Sequence, residues 1–122
     1  MASKKILLVE DIYFNQILIE SLLVEWGYQV IIVDDGAQAL DEMIVEKPDL
    51  IILDLMMPVM DGFQFLEEKN KLRDETPVVI LSARSDMDSI NRALKLGAKD
   101  YITKPFNSND LENKISVFLP KL

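Results

Sequence analysis

An α/β fold, a five-stranded parallel sheet with helices on both faces, is what this 122-residue sequence predicts, and three observations predict it. Five short apolar runs recur along the chain. The first four are continuous rather than alternating and mostly β-branched, the pattern of strands covered on both sides. A helix-length segment follows each run. No linker, repeat or low-complexity stretch interrupts the alternation, so residues 1–122 read as a single domain. Strand–helix alternation with right-handed crossovers gives a parallel sheet packed between helical layers.

Taken in order, Ile6-Leu7-Leu8-Val9 is the first strand. A helix from about Phe14 to Trp26 follows, with Phe14, Ile17, Leu18, Ser21 and Leu22 on one face. Val30-Ile31-Ile32-Val33 is the second strand. The next helix, from about Gly36 to Glu46, repeats Ala39, Leu40, Met43 and Ile44. Leu50-Ile51-Ile52-Leu53 is the third strand, before a charged and less periodic helix from about Gly62 to Leu72. Val78-Val79-Ile80-Leu81 is the fourth. Its helix, about Asp86 to Leu96, carries Met87, Ile90 and Leu94 and stops at Gly97, a glycine placed to end it in the left-handed conformation. Asp100-Tyr101-Ile102-Thr103 is a weaker fifth strand. The last helix, about Ser108 to Leu119, carries Leu111, Ile115, Phe118 and Leu119, with Asn107 or Ser108 as its N-cap. Pro48 and Pro77 each stand just before a strand, where a missing N–H costs little.

Composition narrows the chemistry. The chain has no cysteine and no histidine, which excludes disulfides, thiolate and imidazole metal ligands, and a phosphohistidine of its own. Its 13 basic against 21 acidic residues, a net charge of −8, make a poor match to a phosphate backbone, so direct nucleic-acid binding is not expected. No apolar run approaches the ~18 residues that span a bilayer, and the first residues lack the pattern of a signal peptide. No membrane association and a cytoplasmic location are the default expectations.

The informative polar residues follow the strands. The first ends in Glu10-Asp11, the third in Asp54, the fourth in Ser82-Ala83 and the fifth in Lys104-Pro105. Open α/β sheets bind ligands outside the carboxyl ends of their strands, where the winding reverses. In an order 2-1-3-4-5 that point lies between strands one and three, where Glu10, Asp11 and Asp54 converge beside Ser82 and Lys104. Three adjacent carboxylates repel one another, and a hard divalent cation such as Mg²⁺ compensates them. A lysine and a hydroxyl beside that ion suit a transferring phosphoryl group, and a carboxylate can be its acceptor. Each residue also has a plainer reading as a turn or cap. Asp34-Asp35-Gly36 is read that way, Met56, Met57 and Met60 as local packing, and the charge run from Glu67 to Glu75 as a solvated helix end and loop.

The pieces Ile6-Leu7-Leu8-Val9-Glu10-Asp11, Leu53 through Gly62, Val78 through Ala83, Gly97 through Ile102 and Lys104-Pro105-Phe106, in order and correctly spaced, closely resemble the receiver domain of bacterial two-component response regulators. The resemblance implies the CheY-like, flavodoxin-like (βα)5 architecture with order 2-1-3-4-5. It implies Asp54 as the phosphoacceptor, and Asp11, Glu10 (through water), Asp54 and the Met56 backbone carbonyl around Mg²⁺, with Mn²⁺ as a substitute. Lys104, in a cis peptide with Pro105, would pair with the phosphoryl group. Ser82 and the Ala83 backbone N–H would bind it, and Tyr101 would turn inward as a switch. Gly62 matches the family's glycine after the acceptor strand. Glu10 stands where aspartate is also common and Ser82 where threonine is frequent. Met56 and Arg84 occupy variable positions that tune phosphoryl lifetime.

The implied function is a phosphorylatable switch, not an enzyme beyond its own phosphotransfer and slow autodephosphorylation. Its implied donor is a sensor histidine kinase or histidine phosphotransfer protein docking near Phe14, Asn15, Leu18 and Phe106. The face of helix four, strand five and helix five would then engage a downstream protein target, an effector domain or a phosphorylation-dependent dimer. The chain reads as a stand-alone regulator or a receiver from a longer protein. Trp26 is expected ~18 Å from the start of the first helix at 1.5 Å per residue, remote from the chemistry. A phosphatase using an aspartyl phosphate is the rival, but Asp54-Leu55-Met56 lacks a second aspartate two residues on. A phosphorylation-independent interaction module of the same fold would have no need of the acid set, Ser82 and Lys104.

Overall fold

The computed structural model describes residues 3–120; the outermost two residues at each end of the expected 1–122 domain lie outside the described residues. Five strands, β1 (Lys5–Val9), β2 (Gln29–Val33), β3 (Leu50–Leu53), β4 (Val78–Ser82) and β5 (Asp100–Thr103), alternate with helices α1 (Tyr13–Glu25), α2 (Gly36–Glu46), α3 (Gly62–Lys71), α4 (Met87–Lys95) and α5 (Ser108–Phe118). The sheet is wholly parallel in the order β2-β1-β3-β4-β5. The alternation and parallel sheet are those expected from the apolar runs, and the strand order is the one the family resemblance implies.

Alternate residues of each inner strand point to opposite faces, so continuous apolar runs supply two cores at once. Leu7, Val9, Ile51, Leu53 and Ile80 pack with Met43 of α2, Phe65 and Leu66 of α3 and Ala93 of α4. Ile6, Leu8, Ile52, Val79 and Leu81 pack on the other face with Ile19 and Leu23 of α1 and Leu111 and Ile115 of α5. Burial of each such side chain contributes about 1.5–3 kcal/mol before conformational entropy opposes it. β2 lies at an edge, and Val30, Ile31 and Ile32 are only half-buried there.

Two helices turn a different face inward from the one expected. In α1 the buried residues are Gln16, Ile19 and Leu23, whereas Phe14 is 73% exposed and Ile17 and Leu18 also face solvent. The helix is apolar on most sides, so spacing alone does not choose the inner face. In α4 the slender Ser89 and Ala93 are buried, leaving Met87 and Leu94 exposed. The charge run is not wholly solvated either. Lys69 is buried, its ammonium 3.1 Å from the Asp74 carboxylate and 2.9 Å from the Asp74 carbonyl, an arrangement that anchors the turn after α3. Met57 and Met60 pack against the core as expected, but Met56 is exposed.

The helix ends follow the sequence closely. Asp35, Asp61, Asp86 and Asn107 N-cap α2, α3, α4 and α5, and Asp61 with Gln64 forms a reciprocal capping box. Gly97 ends α4 at φ +106°, as its position predicted.

Candidate functional site

The register of the sheet sets the site. Val9 is level with Val33 on one side and Leu53 on the other, so the next residues, Glu10, Asp34 and Asp54, leave three adjacent strands side by side. Ser82 pairs with Thr103, which brings Lys104 out beside them from β5. Carboxylate oxygens of Glu10, Asp11 and Asp54 lie within 4.8 Å of one another. The Lys104–Pro105 peptide is cis.

Each acid is held differently. Asp54, 6% exposed, accepts from the Met56 N–H at 3.0 Å through one oxygen and from the Lys104 ammonium at 3.0 Å through the other. Glu10 is buried, accepting from Lys104 through Oε1 and from the Ile12 N–H at 3.0 Å through Oε2. Asp11 is half-buried, and its Oδ1 is a buried oxygen without a hydrogen-bond partner. Burial alone would push the Lys104 ammonium down, but hydrogen bonds and charge from Glu10 and Asp54 outweigh it and hold the group above its ordinary value.

These residues fit a divalent cation. Three carboxylates against one ammonium leave two negative charges, the ligands are hard oxygens, and the orphaned Asp11 oxygen has the partner it needs when a cation is present. Met56 stands at the mouth with Asp11, Asp61 and Arg84. Gly62 allows this close packing. A Cβ there would meet the Leu55 Cα at 2.7 Å and the Asp54 carbonyl oxygen at 2.8 Å, pushing on the chain just beyond β3.

Ser82 is fully buried at the end of β4, and its hydroxyl accepts from the Arg84 N–H at 3.3 Å. The half-buried Tyr101 hydroxyl donates to the Arg84 carbonyl at 2.5 Å. Burial raises the Tyr101 phenol pKa. Thus Ser82 and Tyr101 both hold the loop between β4 and α4, and neither bonds Asp54. The Arg84 side chain lies 3.4 Å from Asp86, whose carboxyl is held down at about 2, chiefly by hydrogen bonds from Ser89. Ala83 is exposed in a groove with Asn15, Leu18, Lys104, Pro105 and Phe106, which gathers most of the expected docking residues; Phe14 lies on the exposed side of α1.

Two residues outside the expected set belong to this end of the sheet. The buried Gln16 donates to the Glu10 carbonyl and to Asp34, so Asp34 is more than a turn residue. Only Asp35 caps α2, accepting from the Gln38 N–H at 2.9 Å.

Comparison with known proteins agrees with this geometry. The family model described as the response regulator receiver domain matches residues 6–116. Sporulation initiation phosphotransferase F of Bacillus subtilis is 34% identical over 120 residues, covering 98% of this chain and 97% of that protein. The probable transcriptional regulator ycf27 of Porphyridium aerugineum is 39% identical over 122 residues; the chain spans 50% of its length. Among solved structures, the receiver domain of the Pseudomonas aeruginosa sensor histidine kinase PA1611, with magnesium coordinated in its active site cleft, superposes with a TM-score of 0.89 at 32% identity, covering 98% of this chain and 100% of that one. Among the described residues no helix is long and apolar enough to cross a membrane. With the family model spanning nearly the whole chain and the acidic cleft formed where the strand order reverses, this chain belongs to the response regulator receiver domains of two-component systems.

Proposed function

We propose that the chain is a phosphoacceptor switch in which Asp54 takes a phosphoryl group from a phosphohistidine on a partner protein. The observation that carries this reading is Asp54 itself, buried, hydrogen-bonded through both oxygens, and clustered with Asp11, which has a buried carboxylate oxygen without a partner. A carboxylate oxygen of Asp54 attacks the phosphorus. The new O–P bond forms as the P–N bond to imidazole breaks, and the partner's imidazole leaves with that electron pair.

Glu10, Asp11, Asp54 and the Met56 carbonyl would hold Mg²⁺, or Mn²⁺ in its place, which supplies positive charge to the phosphoryl oxygens. Lys104 stays charged throughout physiological pH and is in reach of Asp54, so it neutralises the incoming group. The phosphoryl adds roughly −1.5 to −2 charges in place of a single carboxylate charge. Ser82 and the Ala83 N–H, at the end of the neighbouring strand β4, would donate to the extra oxygens. To reach them Ser82 gives up its bond to the Arg84 N–H, and the loop that Tyr101 grips through the Arg84 carbonyl shifts with it. That biases the α4–β5–α5 face, where Met87 and Leu94 are already exposed, toward a downstream protein, an effector domain or a second copy. The donor, a sensor histidine kinase or histidine phosphotransfer protein, fits the groove beside Lys104 and the exposed apolar side of α1, Phe14 and Leu18.

The chain on this reading turns over no external substrate and catalyses only its own phosphorylation and slow hydrolysis. Incubation with acetyl phosphate and Mg²⁺ tests it by intact mass. The wild type gains one phosphoryl group and Asp54→Asn gains none. An unmodified wild type would refute the reading, and multiple turnover of a generic phosphomonoester would favour a phosphatase instead.

A further inference from the structure

We propose that Gln16 is a positioning residue for the acidic cleft, fixing the peptide that joins Glu10 to Asp11 so that Asp11 is aimed at the cation. This rests on the reading of Glu10, Asp11 and Asp54 as a divalent-cation site. Gln16 lies on the inner side of α1, 9% exposed, where an unbonded amide would be costly. Its Nε2 donates to the Glu10 carbonyl at 2.6 Å and to Asp34 Oδ1 at 2.7 Å. Both partners only accept, so the amide has a single orientation that satisfies them.

The position of the first bond matters. The Glu10 N–H still belongs to the sheet, donating to the Val33 carbonyl at 3.1 Å. Beyond it the chain leaves the sheet, and the two peptides flanking Asp11 are pinned by side chains. The Glu10 carbonyl is held by Gln16, and the Ile12 N–H is held by the Glu10 carboxylate at 3.0 Å. Asp34, the second partner of Gln16, is fixed in turn by the Gln38 side-chain oxygen, which accepts its N–H at 3.1 Å. The chain of bonds from Gln38 through Asp34 and Gln16 therefore ends at the Glu10 carbonyl, in the peptide that leads into Asp11, whose buried Oδ1 is unpartnered. Rigid backbone on both sides of an unpartnered carboxylate among like charges gives no benefit until a cation arrives. It then spares the cost of ordering the ligand.

Calorimetric titration with Mg²⁺ alone tests this on the full chain. Gln16→Met keeps the length and apolar stem while deleting both donors. Its Mg²⁺ dissociation constant should rise about tenfold or more, the usual effect of removing an outer-shell partner. Its rate of phosphorylation by acetyl phosphate should return to the wild-type value at saturating Mg²⁺, a recovery that general structural damage would not show. A folded Gln16→Met with wild-type Mg²⁺ affinity, or with a rate that stays low at saturation, overturns the proposal.

If Gln16→Met does not fold, Asp34→Asn and Asp34→Ala decide the matter, since both remove one exposed charge and only asparagine keeps an acceptor for Gln16. Asp34→Ala should bind Mg²⁺ about threefold more weakly than Asp34→Asn, and equal affinities overturn the proposal. A wild type that takes up no Mg²⁺ overturns the cation reading and this inference together, whereas unaltered variants overturn only the inference.

Discussion

Asp11→Asn is expected to stabilise the protein while disabling it. The Asp11 carboxylate lies within 4.8 Å of those of Glu10 and Asp54, and Lys104 bonds only the latter two. Two unit charges at that separation repel by about 3 kcal/mol at an effective dielectric of about 20. The single ammonium offsets roughly one of the two neighbouring charges, which leaves about one such repulsion on Asp11. Asp11 is only half-buried, so solvent screening reduces the figure to about 1–3 kcal/mol. Asparagine keeps the shape, removes the charge and adds a donor that can face either neighbouring carboxylate.

Urea unfolding in chelator and in saturating Mg²⁺ measures both halves of the argument. Without Mg²⁺ the variant should exceed the wild type by about 1–3 kcal/mol at an unchanged denaturant slope. With Mg²⁺ the wild type gains stability by mass action, about 2.7 kcal/mol at a hundred times its dissociation constant, and the variant gains little. A variant less stable than the wild type in chelator, or one that gains equally from Mg²⁺, would refute the reasoning.

Three further outcomes follow from the same geometry. Gly62→Ala places a methyl 2.7 Å from the Leu55 Cα and should cost about 1–3 kcal/mol in urea unfolding, with acetyl phosphate modification slowed because Asp54 is displaced too; an unchanged midpoint would show that the turn yields freely. Lys104→Met leaves two buried carboxylates without their ammonium and should destabilise the fold by about 3 kcal/mol at neutral pH. Because the folded-state pKa of Lys104 lies above its ordinary 10.5, its contribution is complete below that pH and is lost as pH rises through the folded value. The deficit of Lys104→Met should therefore hold steady through neutral pH and shrink only in strong alkali; a deficit that vanishes near neutrality would contradict the assignment. Trp26, half-buried at the far end of α1, should show almost no fluorescence change with Mg²⁺ or phosphorylation, and strong quenching by Mg²⁺ would show its placement to be wrong.

Strands and strand ends were the legible part of the sequence, because a run such as Leu50-Ile51-Ile52-Leu53 followed by Asp54 specifies a doubly covered strand and a polar tip at once. Glu10, Asp11, Asp54 and Lys104 came together because a parallel register places all strand ends on one side. The orientations of α1 and α4 were not legible. Phe14, Ile17 and Leu18, like Met87 and Leu94, form apolar stripes that face outward, and spacing identifies a stripe without saying which way it points. Gln16 and Lys69 were missed for the converse reason. A polar residue is buried only where acceptors wait for it, here the Glu10 carbonyl and Asp34, or Asp74, and those are set by the assembled fold.

Locating the modification tests the central claim most directly. After treatment with acetyl phosphate and Mg²⁺, borohydride reduces an aspartyl phosphate to the corresponding alcohol, and peptide mass spectrometry then identifies the converted residue. Reduction confined to the peptide carrying Asp54, at Asp54 itself, is the predicted result. Conversion at Asp11 or Glu10, or a phosphoryl group stable to borohydride on Ser82, would contradict the account.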